Sequence, residues 1–206
     1  LVTNETKVTA ANALVTVSDD AATNLNAEDL SAIGGATGGT VTVTNAVNIQ
    51  GNTAQVTAAL VTDETKVTAS TATVELDDGE TPSITQLNNI AAAAGVVTAS
   101  LAANSLSNLG ALTTEGTDAI TITVNDGDAT AFTASDLSTL GGKTAGTVTV
   151  TNAVAITGDH DQLTAALVTA GTKVVVSDAT VTVNDGDTTA ITAAELSAIG
   201  GATLGT

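Results

Sequence analysis

The chain has 206 residues, and 22 acidic side chains against four lysines give a formal net charge of −18. Nucleic acid and anionic membrane surfaces are thereby excluded as partners, since both are held by clustered cations. One Phe, one His, no Arg and no Cys, Met, Trp or Tyr leave almost none of the equipment that enzymes and small-molecule sites draw on, whereas a hydrophobic fraction of 43% excludes disorder.

Thr fills about a fifth of the sequence, and Ala, Val and Leu supply most of the apolar content. Side chains this small and aliphatic imply a narrow core of the kind found in stacked arrays. Without Cys the chain can form no disulfide and no thiolate metal site. No run approaches the ~18 apolar residues of a membrane span. The sequence opens on Leu1 with no basic-then-apolar leader, so it reads as an internal piece of a longer repeat protein.

The first stretch, 1–40, passes Asn12-Ala13 and then alternates as Val15-Thr-Val17. Strict alternation places the valines on one face of a strand and Thr on the other. Asn26-Ala-Glu-Asp29 then has the spacing of a helix start, with a capping oxygen and, three residues on, an acid whose short side chain reaches back to the cap amide less well than Glu or Gln. Leu30 and Ile33 make one short inward stripe, and Gly34-Gly35 predicts a left-handed stop. The second stretch, 41–66, repeats the scheme: Val41-Thr-Val43-Thr, a bend at Asn45-Ala46, the cap Asn52-Thr-Ala-Gln55, then Val56 and Leu60. In 67–95 the alternation degrades to Val67-Thr-Ala-Ser70, followed by the acidic turn Asp77-Asp78-Gly79-Glu80. From Pro82 to Ala119 the pattern is degenerate, and Val96–Ser100 and Ser105–Leu109 read as a shortened strand and helix in 96–118.

The scheme resumes in 119–147 with Ile120-Thr-Ile122-Thr, Thr133-Ala-Ser-Asp136, Leu137, Leu140 and Gly141-Gly142. In 148–173 it reads Val148-Thr-Val150-Thr, Asn152-Ala153, Asp159-His-Asp-Gln162, Leu163 and Leu167. The last stretch, 174–206, has Asp178-Ala179, Val181-Thr-Val183, Thr192-Ala-Ala-Glu195, Leu196, Ile199 and Gly200-Gly201. Val41–Lys66 and Val148–Lys173 match at about two positions in three, with a long period of roughly 107 residues that breaks into units of about 26 and 33.

Each unit thus reads as strand, bend, strand, polar turn, short helix and return. Strands joined by helical crossovers pair in parallel with right-handed connections. The expected fold is a right-handed parallel β-solenoid with short helices in its crossovers, one continuous segment of about seven coils over 1–206. Val148, Val150, Leu163 and Leu167 should be buried, and Thr149, Thr151 and His160 exposed.

The phrases AELSAIGGAT, GTVTVTNAVAITG and QLTAALVTAGTKVV resemble the Thr/Ala/Val-rich repeats of very large extracellular proteins of cyanobacteria. The resemblance covers nearly the whole chain outside the degenerate middle and includes no catalytic signature. It implies a secreted or surface-attached fibrous protein.

The most site-like feature is the acidic turn after the second strand segment: Asn125-Asp126-Gly127-Asp128, Asn184-Asp185-Gly186-Asp187 and Asp77-Asp78-Gly79-Glu80. Oxygen-rich turns with Gly can hold calcium, which makes Asp126, Asp128, Asp185, Asp187, Asp77 and Asp78 candidate ligands. Asp-Gly is also ordinary turn chemistry, and neither the nonapeptide calcium repeat nor the twelve-residue helix–loop–helix calcium loop is present. Rows of outward Thr offer a second possibility, ice binding, although any exposed parallel strand favours Thr. The bend residues Asn12, Asn45, Asn152 and Asp178 suit either a buried side-chain ladder or a surface turn. The lone His160 reads as solvated, and Lys7, Lys66 and Lys173 each precede a strand, where helix C-termini attract cations.

The sequence therefore points to a non-catalytic structural module of an extracellular or cell-surface fibre that self-associates and needs no cofactor. A calcium-binding adhesion module is the alternative.

Overall fold

The computed structural model describes residues 11–63 and 66–205, so Lys7 and the opening residues lie outside it. The chain divides into two compact units, Leu1–Ser100 and Leu101–Thr206.

In the first unit the elements run β1 (Val15–Val17), β2 (Asn24–Asn26), α1 (Ala27–Gly35), β3 (Val41–Val43), β4 (Asn48–Gly51), α2 (Thr53–Leu60), β5 (Val67–Thr68), β6 (Thr73–Leu76), α3 (Ile84–Ala93) and β7 (Val96–Ser100). Strands β1, β3 and β5 pair in parallel through Val15, Val41 and Val67. Strands β2, β4, β6 and β7 make a second parallel run through Leu25, Ile49, Val74 and Val97.

The second unit contains α4 (Leu106–Leu109), β8 (Ala119–Val124), β9 (Ala131–Thr133), α5 (Ala134–Gly141), β10 (Val148–Val150), β11 (Ala155–Gly158), α6 (His160–Leu163), β12 (Val174–Val176), β13 (Thr180–Val183) and α7 (Ala193–Gly201). Here β8, β10 and β12 pair in parallel, as do β9, β11 and β13.

This architecture is parallel α/β, and it corrects the β-solenoid expected from the repeat. Among the described residues the strands sort into separate open parallel sheets, none closed on itself, accompanied by seven α-helices. The physical reason lies in the crossovers. Helices α1, α2, α3, α5 and α7 have eight to ten residues each, enough to bury faces of their own and to stand as packed elements instead of corners.

The alternation works as polarity dictates. Val41, Val43, Val148 and Val150 are buried while Thr42 and Thr151 face out; Thr149 is half-buried. Leu30, Val56, Leu137 and Leu163 fill the helix side of the core. Leu167 is only half-buried, because α6 widens after one turn into a π-turn over Thr164–Val168 that rotates Ala166 inward in its place.

Two local expectations need correction. The residues capping the C-termini of α1, α5 and α7, namely Ala36, Gly142 and Ala202, keep right-handed helical φ values of −84, −70 and −82°. The paired glycines therefore do not supply a left-handed stop. The degenerate stretch after Pro82 contains α3, at ten residues the longest helix described, started by a full capping box between Ser83 and Gln86.

A corner missed in the sequence recurs after α1, α5 and α7. Thr37, Thr144 and Thr203 are buried polar residues, each two positions ahead of a glycine. Thr144 Oγ1 donates to the Ile120 carbonyl at 2.7 Å and accepts from the amides of Ile120 and Gly146, both at 2.8 Å. Thr203 repeats this toward the Ala179 carbonyl and the Gly205 amide, and Thr37 toward the Ala13 carbonyl and the Gly39 amide. A Cβ on Gly146 would collide with the main chain of Ile120, so only glycine allows this approach.

Candidate functional site

The acidic turns are occupied by the protein's own main chain. Asp126 Oδ2 accepts from the amide of Leu106, the first residue of α4, at 2.7 Å. Asp185 Oδ2 accepts from the amide of His160, the first residue of α6, at 2.8 Å. In the first unit Glu80 Oε2 accepts from the amide of Thr53, the first residue of α2, also at 2.8 Å. Each carboxylate satisfies a helix-start donor that has no intrahelical partner, and its charge complements the positive end of the helix. Contacts with Thr53, through its side chain and then its amide, lower the pKa of Glu80.

The other proposed ligands are dispersed. Asp128 Oδ1 accepts from the Ala153 amide at 3.1 Å, while Asp187 is exposed. Asp77 joins its turn through its main chain, donating to Gly51 and accepting from Glu80, and Asp78 is exposed beside it. Among the described residues no group of three or more His, Asp or Glu side chains could hold a metal ion.

Each capping carboxylate lies 20 to 27 residues after the first residue of the helix it caps. The sequence reading missed Glu80 as a functional acid, and the signal available was that offset from Thr53.

His160 is not the solvated residue its sequence position suggested. Its side chain is 15% exposed, with Nδ1 at 2.7 Å from Asp185 Oδ1 and Nε2 at 3.4 Å from Asp161 Oδ1. Asp185 therefore holds both the main-chain amide and the ring of the same residue. This hydrogen bond, with the charges of Asp161, Asp185 and Glu195 added, raises the His160 pKa above its ordinary value despite the opposing effect of desolvation. The same bond lowers the pKa of Asp185. Both ring nitrogens face carboxylates, so neither is turned toward a hydroxyl as a nucleophile–base pair requires.

The bend residues divide. Asn45 Nδ2 donates to the Asp19 carbonyl and Asn152 Nδ2 to the Asp126 carbonyl, each at 2.6 Å. They bracket the preceding turn instead of stacking on one another, whereas Asn12 is exposed and Asp178 accepts a 3.4 Å contact from Ser177. A side-chain row exists elsewhere: Asn48 Nδ2 donates to Asn24 and Glu75, and Gln50 to Glu75, lowering the Glu75 pKa.

The outward Thr residues line up as Thr16, Thr42 and Thr68 in the first unit. In the second unit Thr123 and Thr149 are followed by Val175, which ends the row.

A cleft of about 460 Å³ lies in the second unit where four-residue α4 sits beside eight-residue α5, with Phe132, Asp136 and Lys143 in its wall. Lys143 Nζ is committed to the carbonyls of Gly110 and Leu112 at 2.8 and 2.6 Å. Lys66 Nζ likewise reaches the Gly38 carbonyl at 2.7 Å.

No protein-family model, curated protein or solved structure matches the chain. Among the described residues no helix is long and apolar enough to cross a membrane.

Proposed function

We propose that the chain is a non-catalytic structural module of an extracellular or cell-surface fibre, in which strand–helix units are joined in series. The observation that carries this reading is the use made of the polar groups. Glu80, Asp126 and Asp185 each close a helix start belonging to the stretch before them. Asn45 and Asn152 likewise bond main-chain groups of the preceding stretch, while Thr37, Thr144 and Thr203 tie the end of a stretch back to its own beginning. Groups spent this way hold repeats together and are withheld from substrate chemistry. The likeness of the sequence to giant cyanobacterial surface repeats supports the setting.

The test is electron microscopy and sedimentation of the purified chain over a range of concentrations. Extended end-to-end particles that lengthen with concentration are expected. A compact monomer at every concentration would remove the reading.

A further inference from the structure

We infer that the exposed face of α7 and β13 is a docking surface for one more strand–helix unit of the type found at 41–60 and 148–167. This rests on the fibre reading and names what that fibre adds at this face.

Three helices begin alike: Asn26-Ala27 with Leu30 in α1, Thr133-Ala134 with Leu137 in α5, and Thr192-Ala193 with Leu196 in α7. In α1 and α5 the Ala and the Leu are buried: Ala27 and Ala134 are 0% exposed, Leu30 is 2% and Leu137 is 0%. In α7 Ala193 is exposed and Leu196 is 46% exposed. The α7 cap itself is complete, with both halves of the Thr192–Glu195 box formed. Its difference from α1 and α5 is therefore in what covers it.

What covers the other two is known and is the same in both. Strand β4 and helix α2 lie over α1, where a Cβ on Gly51 would stand 3.2 Å from the Ala27 methyl. Strand β11 and helix α6 lie over α5, where a Cβ on Gly158 would stand 2.9 Å from the Ala134 methyl. A glycine at the end of the covering strand lets it settle on the alanine. Both covering stretches read Val-Thr-Val-Thr-Asn-Ala-Val, two residues about an Ile, then Gly. Among the described residues β13 pairs with β11 on one side only, so a parallel strand can extend the same ladder over Ala193 and Leu196. The occupant is thus a unit with an alternating strand, an Ile-x-Gly second strand and an Asn- or Asp-capped helix.

The chain has no Cys, so a single thiol reports one position cleanly. A copy of Val41–Lys66 is fused after Thr206, and Leu196→Cys is labelled with a thiol reagent in the extended and original chains. Leu137→Cys serves as the buried reference. The expected result is labelling of Leu196→Cys slowed by about tenfold or more in the extended chain, toward the buried reference. Gly51→Leu within the appended copy should restore fast labelling. Equal labelling of Leu196→Cys in both chains overturns the inference; filaments still seen by microscopy would then leave the fibre reading standing.

Discussion

Replacing Thr144 by Val removes one oxygen and leaves the shape of the side chain almost intact. Thr144 is 2% exposed, and its hydroxyl is the acceptor for the amides of Ile120 and Gly146. In the valine variant both donors stay where they are and lose that acceptor. An unsatisfied buried amide costs about 1–3 kcal/mol, so after partial relaxation the expected loss is about 2–4 kcal/mol. Thr144→Ser keeps the oxygen and deletes one methyl, which should cost about 0.8 kcal/mol. With no Trp or Tyr in the chain, urea unfolding is followed by far-ultraviolet circular dichroism. The midpoint should fall with an unchanged slope. If Val stays within about 0.5 kcal/mol of the parent, or if Ser costs more than Val, the corner is held by packing and the hydrogen-bond argument fails.

Thr192→Ala should cost about 1 kcal/mol in the same assay, since it deletes the acceptor for the Glu195 amide, while Thr192→Ser should be nearly neutral. The His160–Asp185 pair should give stability a defined pH window. Because the His160 pKa is raised from 6.5, its contribution is complete below 6.5 and is lost as pH rises through the raised value. Because the Asp185 pKa is lowered from 3.8, its contribution is present above 3.8 and is lost as pH falls through the lowered value. His160→Gln should therefore flatten the loss of thermal stability on the alkaline side, and an unaltered melting profile between about pH 6 and 9 would contradict the pairing.

Signals confined to a few residues carried through from sequence to structure. Asn52 with Gln55, Asp159 with Gln162 and Thr192 with Glu195 all form reciprocal capping boxes, because a cap needs only partners three positions apart. Val148 and Val150 point inward because alternation alone sets the face of a strand. The fold class did not carry through: alternating strands and helices specify parallel pairing but not how strands divide among sheets. The Gly pairs misled for a related reason. Gly141 is squeezed against the main chain of Thr172, a close approach that cannot be read from its neighbours in sequence. The candidate site was half legible. Asp126 and Asp185 do offer oxygens to a positive partner, but that partner is an amide 20 or 25 residues earlier, and an acidic turn alone does not name it.

The carboxylate caps impose an order in time on a chain made from its N-terminus. When Thr53 first emerges, the acid that will close its amide is still 27 residues from being joined. Until Glu80 arrives, the Asn52–Gln55 box alone closes that end and the Thr53 amide is left to water, in a helix too short to be more than marginal in isolation. The same delay applies to His160 until Asp185 follows it. Growth of the ordered structure is therefore paced from behind, each newly made stretch finishing the one before it.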